Sequence, residues 1–126
     1  MAALNVLRKF KRHDAIIDIT YVSNREIKAL NSRYMHRRSA TDVLSFLLEA
    51  GSPCKRRALL GDIYISSDMA HENAGQFITS YSRELLLYTV HGVLHLLGFD
   101  DKTVAQKAKI RRLEDKFLNE LTGTKT

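Results

Sequence analysis

HGVLHLLGFDD, residues 91–101, places two histidines four apart, a glycine three further on and an aspartate three after that. A largely apolar run, Leu85–Val90, precedes it. Side chains at that histidine spacing share one helical face and can reach one ion. Neutral imidazole suits zinc, and two ring nitrogens plus a carboxylate leave a fourth tetrahedral position open. Gly98 is placed to stop the helix and return Asp100 or Asp101 toward the histidines. The spacing H-x-x-x-H-x-x-G-x-x-[H/D] makes Asp101 the third ligand. The rival reading is a pair of helix-surface histidines followed by a solvated acidic turn. Two imidazoles buried in an apolar helix without an ion, however, risk unsatisfied ring nitrogens or a costly charge. The expectation is one Zn2+ per chain, held by His91, His95 and Asp101.

Gly92 limits what such an ion does. In the H-E-x-x-H metalloprotease arrangement the residue after the first histidine is a glutamate base. Glycine carries neither charge nor a transferable proton, so peptide hydrolysis by that route is disfavoured. Metal-assisted hydrolysis of another substrate stays open.

Composition narrows the setting. The 126 residues are 44% apolar with one proline, enough for one domain (1–126) with a real core. The formal net charge of +6 favours a polyanionic partner. The single cysteine, Cys54, excludes an intramolecular disulfide framework and a cysteine-based zinc site, and it fits a reducing compartment. Residues 1–12 lack the pattern of a secretion signal, and no window approaches the roughly 20 apolar residues of a membrane span. A cytoplasmic, soluble protein is expected.

Along the chain, Ala2–Arg12 suits a short amphipathic helix or a strand equally. Ala15–Val22 is rich in β-branched residues and reads as a strand, as do Thr41–Leu48 and Leu59–Ser66. Asn24 is positioned to cap a helix carrying Ile27, Leu30 and Tyr34. Glu49–Arg57 reads as a hairpin or exposed loop. A short helix is expected around Ala70–Ala74, the strongest one over Ser82–Leu97, and a last amphipathic one over about Thr103–Leu121, using Val104, Ala108, Leu113, Phe117 and Leu121. The fold class is α+β: a small mixed sheet packed with helices, with the metal site at the end of the central helix.

HGVLHLLGFDD resembles H-G-x-L-H-L-x-G-[YF]-D-H, the signature of the YbeY-like family of bacterial endoribonucleases that mature ribosomal RNA. TDVLSF at 41–46, preceded by LNSRY at 30–34, and GDIYIS at 61–66 extend the resemblance in the same order. It spans roughly residues 15–118. It implies an α+β fold, a zinc-type site, cleavage of single-stranded RNA, and a role near the small ribosomal subunit. Two positions depart from the family pattern. Asp101 stands where the third histidine is usual; its negative charge makes the ion a weaker acid and raises the pKa of bound water. Met35 stands where the family usually has an arginine important for activity, and methionine cannot stabilise phosphate charge. The resemblance puts TDVLSF at the rim of the cleft, with Asp42 or Ser45 orienting substrate, although the segment is physically an ordinary strand. Asp62 reads first as a strand-edge polar residue. His71 and Glu72, being adjacent, do not share a helical face and make a poor metal pair.

Arg33, Arg37, Arg38, Lys55, Arg56 and Arg57 flank the expected central strands. They are a hydrated surface or, with the metal motif and the basic excess, an RNA backbone groove that positions RNA without reading bases. No catalytic base is assigned. The function implied is a metal-dependent, single-strand-specific endoribonuclease acting in ribosomal RNA maturation. The alternatives are a nonenzymatic ribosome-assembly protein with a structural metal, or another small metal-dependent hydrolase, a peptidase included.

Overall fold

β-Branched residues recur in three segments of the chain, and these become the strands of one sheet. The computed structural model describes residues 2–10, 12, 15–35, 41–50 and 59–122. The elements in order are α1 (Ala2–Lys9), β1 (Ile16–Val22), α2 (Asn24–Met35), β2 (Val43–Ala50), β3 (Leu59–Ser66), α3 (Ser67–Gln76), α4 (Tyr81–Leu96) and α5 (Val104–Thr122). The sheet order is β1-β3-β2, with β1 parallel and β2 antiparallel to β3. This is the α+β fold, a small mixed sheet packed with helices, that the expected elements and the family resemblance together imply.

Register decides which side chains meet the helices. Val43 pairs with Ile65, and Ser45 with Ile63, so these residues share the face that α4 covers. Ile17 and Ile19 join them from β1. Ile63, Ile65, Val90, Val93, Leu94 and Phe117 are fully buried there, each contributing about 1.5–3 kcal/mol by leaving water. The opposite face is smaller: Val22, Ile27 and Leu44 are buried under α2, with Leu30, Phe46 and Tyr64 packed around them.

The helix ends follow local chemistry. Ser80 caps α4 by accepting from the Arg83 backbone N–H, so this helix begins a residue earlier than Ser82. At its other end the Gly98 N–H donates to the His95 carbonyl and the Phe99 N–H to that of Leu94, a Schellman closure with Gly98 at φ +102°. Asn24 is not the cap of α2. Ser23 and Glu26 bond each other's backbone N–H reciprocally, a capping box that moves Asn24 into the first turn. Asn24 instead accepts from the Ser66 hydroxyl and takes up Asp68 through its own N–H. The short helix expected around Ala70–Ala74 is the ten-residue α3.

Packing decides the reading left open at the N-terminus and corrects one expectation on α5. Residues 2–9 are helical, because Val6 and Leu7 are buried in the core that α4 and α5 share. On α5, Val104 is 86% exposed, and Ile110, Phe117 and Leu118 form the buried stripe. Val104 lies six residues before Ile110, off the i, i+3, i+4 face that meets α4. Among the described residues no helix is long and apolar enough to cross a membrane.

Candidate metal centre

The site sits where α4 ends. His91 and His95 project from its last two turns, and the Schellman closure folds the chain back so that Asp101 reaches both. The Asp101 backbone N–H donates to Asp100 Oδ1, which tightens that turn. Gly92 lets α4 approach the sheet: a Cβ there would stand 2.9 Å from Ile63 Cγ2 and 3.1 Å from Ser45 Oγ. Ser45 donates its hydroxyl to the Gly92 carbonyl across that contact, tying β2 to the middle of the histidine pair.

Three donor atoms converge. The His91 and His95 Nε2 atoms are 2.9 Å apart, and Asp101 Oδ2 lies 3.5 Å from His95 Nε2 and 3.8 Å from His91 Nε2. A point equidistant from these corners lies about 2.0 Å from each, the length of a zinc–nitrogen or zinc–carboxylate bond. Two nitrogens and one oxygen are also a donor set that zinc accepts. The residues present fit a zinc-type ion. Asp101 is partly exposed, so the triad opens toward solvent on its own side.

The two histidines differ electrostatically. Burial pushes both toward the neutral form. For His91 this is outweighed by the Glu114 hydrogen bond and charge, with Asp42 and Asp101 adding to them, and its pKa lies above the ordinary value. For His95 burial and the charge of His91 prevail over Asp101 and Asp100, and its pKa lies below.

A cleft of about 490 Å³ lies against the triad. Asn31, Met35, Asp42, Ser45 and Leu47 line its α2–β2 side; His91, His95, Asp100, Asp101 and Lys102 line the other. Asp42 and Ser45 are thus in the cleft wall, as the strand motif implies. Asp62 pairs with Asp18 and Phe46 on the face that α2 covers, away from the triad. His71 stacks on Tyr81 at 3.8 Å and Glu72 accepts from the Asn24 side chain, so neither approaches the site. Arg33 is exposed and lies over the Tyr34 ring, 5.3 Å from its centre. Arg37, Arg38, Lys55, Arg56 and Arg57 lie outside the described residues.

Two side chains at the site escape sequence reasoning. Lys102, next to Asp101, is the cation among the described residues that lines the cleft, and its ammonium is 3.7 Å from Asp100. Glu114 of α5 sits 3.3 Å from His91 Nδ1, its side chain 12% exposed. A signal for Glu114 exists: it stands four residues after Ile110 and three before Phe117, inside the buried stripe.

The chain as a whole is similar to known proteins. A family model described as Endoribonuclease YbeY matches residues 2–122. The Endoribonuclease YbeY of Chloroherpeton thalassium is 37% identical over 102 residues, covering 81% of this chain and 69% of that protein. That of Staphylococcus aureus is 38% identical over 112 residues, covering 84% and 72%. The solution structure of TM1509 from Thermotoga maritima matches with a TM-score of 0.67 at 30% identity, over 96% of this chain and 77% of that one. With a family match from residue 2 to residue 122 and relatives at this identity, the chain belongs to the YbeY endoribonuclease family.

Proposed function

We propose that this chain is a one-domain, metal-dependent endoribonuclease that cuts single-stranded RNA during ribosomal RNA maturation, with one Zn2+ held by His91, His95 and Asp101. Family membership and the triad together support metal-dependent endoribonuclease action in ribosomal RNA processing. The observation that carries the metal reading is the donor triangle, whose corners one ion can reach at bonding distance.

When bound, the ion supplies Lewis acidity at the scissile phosphodiester. The chain's own residues set the conditions. His91 and His95 present neutral ring nitrogens, and Asp101 contributes the anionic donor. Lys102 offers its charge to the RNA backbone at the lip of the cleft. Asp42 and Ser45 form the facing wall, where they orient the strand that enters. Arg33, together with Arg37, Arg38, Lys55, Arg56 and Arg57 from the sequence, supplies further positive charge for the RNA backbone. Such backbone contacts leave selectivity to single-strandedness and to the context of the small ribosomal subunit in the cytoplasm.

One observation favours a second reading. Met35 lines the cleft without charge, which suits a ribosome-assembly protein whose ion is structural. Assays on single-stranded RNA, duplex RNA and a peptide, with zinc-loaded and metal-stripped protein, separate the readings. Cleavage of single-stranded RNA by the loaded protein alone, lost in H91A/H95A, is expected. Equal cleavage by the stripped protein and the double variant overturns the metal mechanism, and RNA binding without cleavage favours the assembly role. Calorimetric zinc titration tests the ligand set: D101N is expected to lose more than about 10-fold in affinity, beyond the lower bound for outer-shell changes, and D100N less.

A further inference from the structure

We infer that Glu114 is the positioning residue of the metal centre, holding His91 in the tautomer that points a free Nε2 lone pair at the ion, while His95 has no such anchor among the described residues. The inference rests on the metal reading proposed above and goes beyond the ligand set.

Glu114 does not resemble a solvated helix carboxylate. Its side chain is 12% exposed, on the stripe of α5 that also buries Ile110 and Phe117. Among the described residues, the basic group within 4.0 Å of its carboxylate is the His91 ring, and no lysine or arginine shares it. An ionised carboxylate only accepts hydrogen bonds. The Nδ1 atom of His91, 3.3 Å away, must therefore be the protonated nitrogen. A neutral imidazole carries one N–H, so Nε2 is left with its lone pair, and Nε2 is the atom that faces Asp101 and His95. A carboxylate behind a ligating histidine in this way fixes ring orientation and raises ligand basicity.

The 2.9 Å contact between the two Nε2 atoms completes the chain of hydrogen bonds. With Nε2 of His91 as acceptor, His95 is the donor there in the metal-free protein. No described residue bonds Nδ1 of His95. That ring must move its proton from Nε2 to Nδ1 when it becomes a ligand, whereas His91 is ready beforehand. The centre is half preformed, and Glu114 is what preforms it.

Calorimetric zinc titration of the parent, E114A, E114Q and H91A, with imidazole 15N shifts of the metal-free proteins, tests the inference. The metal-free parent is expected to show His91 protonated on Nδ1, and E114A to lose that signature together with 10–100-fold in zinc affinity. In E114Q the amide oxygen still accepts from Nδ1–H, so the tautomer survives and the affinity loss is smaller. A role confined to holding α5 against α4 predicts lower melting temperatures without a tautomer change. His91 protonated on Nε2 in the parent overturns the inference. So does an E114A protein with the parent's tautomer and zinc affinity. Should E114A fail to fold, the parent's tautomer and the E114Q titration still decide. Unchanged zinc affinity in H91A brings down the metal reading itself; loss in H91A with none in E114A brings down only the role of Glu114.

Discussion

The two walls of the cleft are built differently. The α4 wall, which carries the histidines, rests on a continuous core in which Val90, Val93, Leu94 and Phe117 are inaccessible to solvent. The α2–β2 wall is backed on its α2 side by the small buried cluster of Val22, Ile27 and Leu44, while Met35 and Leu47, which line the cleft, are about half exposed. A metal demands donors placed to a few tenths of an ångström, which favours the deeper support. A strand of RNA tolerates, and uses, a wall that adjusts. On the function proposed above, the first side would carry ligand geometry and the second substrate contact.

The largest expected effect tests the deeper wall. F117A leaves a cavity beneath α4 and α5 and is expected to cost about 3–5 kcal/mol, most of the stability of a marginal domain. I27A, at the smaller core, is expected to cost about 2–5 kcal/mol by the same mechanism, with less lost as α2 collapses inward. Urea melts give both values, and zinc titration of the still-folded proteins gives the contrast. Zinc affinity should fall with F117A and stay near the parent's with I27A. Equal losses would break the comparison between the walls.

A smaller effect is expected from G92A, which touches the seam between them. Its Cβ meets Ile63 and Ser45 at 2.9–3.1 Å, closer than ordinary contact. Overpacking of this kind costs about 1–3 kcal/mol, offset in part by the ~1 kcal/mol advantage of alanine over glycine within a helix. A net loss near 1 kcal/mol in a urea melt, with weakened zinc binding, is expected. A stabilised G92A would show that α4 has room to lift from the sheet.

Much of the α4 wall is legible in the sequence because its signals are local: the apolar face, the i, i+4 histidines, the glycine that closes the helix and the aspartate three residues later. Where tertiary contacts decide, the sequence misleads. α1 is eight residues long, too short for propensity to choose between helix and strand, and the burial of Val6 and Leu7 chooses helix. Asn24 and Ser23 are both good caps, and the position of Glu26 settles the matter for Ser23. Val104 passes for core because any valine on an amphipathic helix does, until Ile110 fixes the phase. Glu114 hides among Arg111, Arg112, Asp115 and Lys116, a run that reads as a solvated face unless the stripe through Ile110 and Phe117 is drawn first.

The smallest predicted effect separates the two histidines of the same wall by pH. His91 has its pKa raised above 6.5 in the folded protein. It therefore contributes stability that is complete below the unfolded value and is lost as pH rises through the folded value. His95 is lowered, so its contribution is complete above 6.5 and is lost as pH falls through its folded value. Both contributions coexist only between the two folded values, and their sum peaks near the unfolded pKa. In chelator, the melting temperature should carry a shallow local maximum close to pH 6.5. H91Q should remove the falling limb above it and H95Q the rising limb below it; taking differences from the parent cancels the carboxylates, which titrate lower. Zinc reverses the upper limb, because the ion competes with protons for both rings and binds more tightly as pH rises. A metal-free parent and H91Q with the same pH profile would mean that Glu114 does not hold a charged His91 in the fold, and the asymmetry between the two rings would then lie in burial alone.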